Sequence, residues 1–447
     1  MRVAIRRLIV AAACAAAVAM AAAPASAQYF GQNKVQYRTF KYEVLKTEHF
    51  DIYFYPEERP AVEQAARMAE RWYARYNRIF THQLTGRQPL ILYADQPDFQ
   101  QTNAIPGDIG EGTGGVTEPL KRRIVLPMGA SLAETDHVIG HELVHAFQYD
   151  MTSSMAQSGF PGIERLPLWF IEGMAEYLSL GPVDPNTAMW MRDAVRQNNL
   201  PTIKDLNNTS KYFPYRWGQA LWAYIAARWG DRSISDLLLG AGAIGDVTEA
   251  FAKLLGTTPD QLARDWHASL RAAYQPIIAQ TAPPTDVASL IIAGRGLGND
   301  LNVSPSISPD GKKLVFLSSR GLFSIDLYVA DVTTGKVERQ LVKTAVNPHF
   351  NSLQFIYSAG GWWPDGNRFV FAAVTNGEPE LVLVDMRRKN VDREIRFPNL
   401  GEIFSPSVSP DGHSIAFSAT VGGQSDLYVY DLDGGKLARL TNDLFAD

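Results

Sequence analysis

Val138-Ile139-Gly140-His141-Glu142-Leu143-Val144-His145-Ala146-Phe147 decides how the first half of the chain is read. On a helix, residues four apart share a face, so His141 and His145 can reach one metal ion with Glu142 beside them. The surrounding Val138, Ile139, Leu143, Val144 and Phe147 mark the helix as buried. A solvated polar face would be the ordinary alternative, but two unpaired histidines and a glutamate in such a setting are costly. Ser131 and Glu134 form a capping-box pair at the start of this predicted helix over 131–150.

Upstream, Phe50, Ile52 and Phe54 alternate within a predicted strand over 41–55, and Pro56 ends it. Residues 58–80 read as a helix with a stripe of Ala65, Met68, Trp72, Tyr76 and Ile79. A short buried strand covers 89–93, and the glycine-rich 106–118 runs into another at 115–117. Residues 122–127 give one more. These last two strands form either an edge that binds a substrate backbone or an ordinary hairpin. Helices are expected at 166–180 and, in several pieces, over 212–274. Residues 279–286 read as an interdomain linker.

A catalytic zinc takes three protein ligands and keeps one open position. The predicted helix at 166–180 carries Trp169-Phe170-Ile171-Glu172-Gly173-Met174-Ala175-Glu176-Tyr177. With the His-Glu-x-x-His segment, this resembles the gluzincin peptidases, the class of thermolysin and the zinc aminopeptidases. It is most similar to the exported peptidase MA-like group, and the resemblance spans about 41–275. It implies an α+β zincin-type catalytic domain at 28–278 that binds one Zn2+ per chain. The metal ligands would be His141, His145 and Glu172, and Glu142 would be the general base. It also implies that Glu176, one turn beyond Glu172, steadies a ligand histidine, and that Gly173 lets the two helices approach closely. Gluzincins commonly take an oxyanion donor from the following helices. Tyr215 is the candidate and Tyr212 the second, against a role in packing alone. No segment resembles the aminopeptidase motif for a free N-terminus, so endo- and exopeptidase action both stay open. His137 is either a group that supports the ligands from behind or an N-terminal helix residue, the second being favoured, and His49, His82, His267, His349 and His413 read as structural or surface residues.

Beyond the linker (279–299), Ser308-Pro309-Asp310-Gly311, Trp363-Pro364-Asp365-Gly366 and Ser409-Pro410-Asp411-Gly412 repeat one turn signature. Their intervals have the length of one propeller blade. Each leads into two strands: 313–316 and 326–329, 368–371 and 380–383, 414–417 and 426–429. These repeats resemble the Tol-type β-propeller, implying an all-β propeller over 300–447. Three blades cannot close a ring of about four to eight. The chain is therefore expected to be the N-terminal part of a longer protein, or to be completed by another chain.

Arg2, Arg6 and Arg7, an apolar run from Leu8 and Ala25-Ser26-Ala27 read as a signal peptide over 1–27. A membrane anchor is the alternative, but the run is short of the about 20 residues a spanning helix needs. Cys14 is the only cysteine, so the mature chain has no disulfide and no thiol chemistry. The remaining chain carries no span-length apolar segment. A net charge of −5 argues against a nucleic-acid partner.

The expected function is an exported zinc-dependent metallopeptidase, periplasmic or on the cell surface, acting on peptide or protein substrates. The alternative is a binding protein whose propeller recognises a protein partner while the zincin domain is inactive. A propeller-bearing serine hydrolase would need a Gly-x-Ser-x-Gly elbow, and no such segment occurs in the 447 residues.

Overall fold

The computed structural model describes residues 36–445, except 108, 111, 154–161, 295–300, 321–324, 343–351, 354–358, 389 and 444. The expected signal peptide and His349 lie outside the described residues.

The single strand expected over 41–55 is two strands, β1 (Glu43–Lys46) and β2 (Phe50–Phe54). A tight turn, in which the Thr47 amide donates to the Phe50 carbonyl at 3.0 Å, reverses the chain between them. After α1 (Arg59–Phe80) come β3 (Gln88–Tyr93), β4 (Val116–Glu118) and β5 (Arg123–Pro127). They build one mixed sheet of order β1-β2-β3-β5-β4. β2, β3 and β5 run parallel, and β4 returns antiparallel as an edge.

Helices cover this sheet: α2 (Leu132–Thr152), α3 (Leu168–Leu180), α4 (Pro185–Arg196), α5 (Pro214–Trp229), α6 (Arg232–Ile244) and α7 (Pro259–Ile278). The Ser131–Glu134 capping box starts α2, with the Ser131 side chain accepting from the Glu134 amide at 3.1 Å. One apolar core joins sheet and helices through Phe50, Ile52, Leu90, Leu143, Phe147, Phe170 and Trp222, each 0% exposed. Burial of this much apolar surface supplies the main drive to fold.

Among the described residues the C-terminal part is three antiparallel sheets, the first and third of four strands and the second of five. The first holds β6 (Asn302–Ile307), β7 (Lys313–Ser318), β8 (Asp326–Asp331) and β9 (Val337–Val342). The second holds β10 (Ser352–Leu353), β12 (Arg368–Thr375), β13 (Glu378–Asp385) and β14 (Asn390–Arg396), with β11 (Gly361–Trp362) also paired to β12. The third holds β15 (Ile403–Val408), β16 (Ser414–Val421), β17 (Gln424–Asp431) and β18 (Lys436–Arg439).

The Pro-Asp-Gly turns close as the sequence implies. Gly311, Gly366 and Gly412 adopt φ of +72°, +68° and +78° and donate their amides to Ser308, Trp363 and Ser409. Adjacent tryptophans tie the sheets together. The Trp362 indole N–H reaches the Ser306 carbonyl of the first sheet at 3.0 Å, and that of Trp363 reaches the Gly412 carbonyl of the third at 3.1 Å.

The third sheet docks on the helical part just ahead of α2. Ser425 Oγ donates to the Ala130 carbonyl at 2.8 Å. Nearby, Asp95 caps a helical turn, and the Glu402 backbone N–H meets its carboxylate.

Candidate metal centre

α2 presents His141 and His145 on one face, and α3 brings Glu172 opposite them. The two Nε2 atoms lie 3.1 Å apart, and Glu172 Oε2 lies 3.2 Å from each. A tetrahedral zinc with bonds of about 2.0–2.1 Å requires ligand atoms separated by roughly 3.3 Å. The spacing and the two-nitrogen, one-oxygen donor set therefore both suit zinc.

The far sides of the imidazoles fix which nitrogen faces the centre. His145 Nδ1 lies 2.8 Å from Gln148 Oε1. Gln148 is itself oriented because its Nε2 donates to the Ile171 carbonyl at 3.1 Å. His141 Nδ1 lies 3.2 Å from Glu176 Oε1, and Arg216 Nη1 meets Glu176 Oε2 at 3.2 Å and Asp184 at 3.2 Å. His137, for which the sequence favoured a plain helix residue over a supporting group behind the ligands, also contacts Glu176, at 3.4 Å.

The field at the centre favours a cation. Burial opposes a charged imidazole, yet hydrogen bonds to the Glu172 and Glu176 carboxylates push His141 up to about 10. Burial likewise works against an ionised Glu176, but His137 and His141 hold it at about 2. Glu172 is also held below its ordinary range, against its burial, by His145 and His141.

Glu142 is 6% exposed and clamped from the sheet edge. The Thr117 hydroxyl on β4 lies 2.7 Å from Glu142 Oε2 and 2.9 Å from its carbonyl oxygen. Gly115 makes the approach feasible, since a Cβ there would sit 2.9 Å from Glu142 Cγ.

Tyr215 stacks on His141 with ring centroids 5.7 Å apart and planes 15° apart. Burial, then the carboxylates of Glu172 and Glu142, push its hydroxyl above the ordinary tyrosine range, so it remains a donor. Tyr212 is buried instead against Trp217, edge-on at 5.5 Å. One expectation is corrected: Gly173 faces α5 rather than α2, and a Cβ on it would lie 2.3 Å from Gly218 Cα. The remaining described histidines have ordinary partners: His49 with Glu70, His82 with Asp150, His267 with the Pro201 carbonyl and His413 with Asp433.

Thr117, Gln148 and Arg216 are the site residues that the sequence did not single out. Each acts from an element whose placement depends on the fold, although Arg216 stands beside the Tyr215 candidate.

Residues 298–445 match the family model described as the TolB beta propeller domain. The C-terminal part is a TolB-type β-propeller domain. The chain is 28% identical to "Tol-Pal system protein TolB" of Gluconobacter oxydans over 28% of this chain and 29% of that protein. It is 30% identical to "Protein TolB homolog" of Chlorobium chlorochromatii over 28% of this chain and 29% of that one. The solved structure of TolB from Acinetobacter baumannii is similar at 23% identity and a TM-score of 0.28, covering 42% of this chain and 50% of that one. The chain thus spans less than a third of the length of these curated relatives.

Proposed function

We propose that the helical part is a zinc-dependent peptidase and that the propeller domain binds a protein partner. The observation that carries the first half is the meeting of His141 Nε2, His145 Nε2 and Glu172 Oε2 within 3.1–3.2 Å of one another.

A bound zinc supplies Lewis-acid activation of water and of a scissile carbonyl. Glu142, held by Thr117, takes the proton of the attacking water and passes it to the leaving amine. The Tyr215 hydroxyl donates to the developing oxyanion. Gln148 and Glu176 keep the imidazoles turned so that both Nε2 lone pairs face the centre. Among the described residues β4 pairs only with β5, and its outer edge is suited to pair with an extended substrate backbone. The sequence of the leader makes an exported protein the setting. Among the described residues, no helix is long and apolar enough to cross a membrane.

A second reading is a binding protein in which the helical part is inactive. The TolB match and the named relatives speak for it more than for the peptidase, because they describe the propeller and not the metal centre. Glu142, buried and clamped in place, speaks for the peptidase. The deciding experiment is cleavage of a mixed peptide library by the zinc-loaded chain beside Glu142→Gln, read by mass spectrometry. Cleavage by the parent alone supports the peptidase. Cleavage by neither, at full zinc content, transfers the function to the propeller domain.

A further inference from the structure

Aromatic rings run outward from the metal centre. Phe213, just ahead of α5, stacks on Tyr215 with centroids 5.0 Å apart and planes 24° apart. Trp190, on α4, meets Phe213 at 5.9 Å and 45°. Tyr215 in turn lies on His141, so the row is continuous with the candidate ligands.

The outer rings are not explained by core packing. Trp169, Trp222 and Trp266 are at most 2% exposed, whereas Phe213 and Trp190 are 44% and 40% exposed and the neighbouring Met189 is 49% exposed. Contiguous apolar groups left in water beside a reactive centre mark a contact surface. Aromatic rings suit that task because they offer large rigid faces at low entropic cost.

We propose that Phe213 and Trp190 form a subsite for a bulky aromatic or aliphatic side chain of the peptide substrate. The inference rests on the peptidase reading of the metal centre. At about 3.3 Å per extended residue, the two ring steps from His141 to Phe213 correspond to about three residues of substrate. The preferred side chain is therefore expected within about two to four residues of the scissile bond, on one side of it only.

The test is fluorescence anisotropy on the zinc-loaded Glu142→Gln chain, so that cleavage does not intervene. Two fluorescein-labelled hexapeptides are used, alike in length and charge, one with phenylalanine at its third residue and one with alanine. The phenylalanine peptide is expected to bind about tenfold tighter, as burial of one aromatic ring implies. In the Phe213→Ala/Trp190→Ala double variant, at unchanged zinc content and circular dichroism, the two peptides are expected to bind alike. Equal binding of both peptides to the parent, no binding of either, or an undiminished gap in the double variant would overturn the subsite. A gap that closes in the double variant, with no library cleavage by the parent, would keep the apolar site and refute the peptidase reading alone.

Discussion

Gly173 and Gly218 touch backbone to backbone: a Cβ on Gly218 would lie 2.2 Å from the Trp169 carbonyl oxygen and 2.6 Å from Gly173 Cα. This crossing sets how near α5 comes to α3. It therefore sets where Tyr215 and Arg216, in the first turn of α5, stand over the metal centre. Gly218→Ala is expected to push the helices apart. Overpacking of this kind costs typically about 1–3 kcal/mol, and zinc retention is expected to fall with it. Thermal unfolding and metal analysis after dialysis check both, and a variant equal to the parent in both would remove α5 from the account of the site.

The ligand and base assignments separate by metal content. Glu172→Ala removes one of three donors and is expected to lose most of the zinc. Glu142→Gln removes a base and no donor, so it is expected to keep the zinc and lose hydrolysis. Full zinc occupancy in Glu172→Ala would refute that ligand. Chelation of the parent is expected to abolish hydrolysis, with recovery on adding zinc.

On the zinc reading, Arg216 and Glu176 would act on the metal through His141. Loss of a partner that orients a ligand typically weakens metal binding about 10–100-fold. Glu176→Gln is expected to fall in that range in competition with a chromophoric chelator. Arg216→Ala leaves Glu176 and Asp184 without their shared cation, so it is expected to lower melting temperature as well. Unchanged affinity in both variants would show that the relay is structural only.

The acids beside the docked propeller give a pH dependence. Glu58 is 0% exposed and burial, with Asp98 and Asp95 adding to it, raises its carboxyl to about 9. Asp95 and Asp98 are raised as well, by burial first. Tyr55 donates to Asp98, and Arg38 pairs with it at 3.1 Å. A carboxyl whose pKa is higher in the folded than in the unfolded state binds more protons when folded between those two values. Stability is therefore full below about pH 4.5, falls as pH rises toward 9, and is flat beyond. Glu58→Gln keeps an acceptor for the Tyr55 amide, which Glu58 Oε2 meets at 2.8 Å. It is expected to flatten the fall in melting temperature between pH 5 and pH 9. An unchanged slope would assign the dependence to other groups.

Much of the molecule was legible because it is written in local patterns. The capping box at Ser131, the His141–His145 spacing and the three Pro-Asp-Gly turns each depend on residues within a few positions of one another. The turn repeat is longer than its tetrapeptide. Val303-Ser304-Pro305-Ser306 and Phe404-Ser405-Pro406-Ser407 also correspond, and Ser304 and Ser405 share a positive φ of +53° and +46° where β6 and β15 slip register. That bulge was visible in the sequence as a repeat, but only the paired strand gives it meaning.

The sequence by itself determined which side chains form the candidate metal centre: two histidines one turn apart, a glutamate between them, and a second helix with two acids one turn apart. Helical periodicity alone puts such groups on common faces. Only the tertiary structure decided their company. The edge strand brings Thr117 to Glu142, the glycine crossing brings Tyr215 and Arg216 to His141 and Glu176, and the third propeller sheet meets the loop ahead of α2. These contacts join residues far apart in the chain, so they depend on how close two backbones can pack, which no local pattern records.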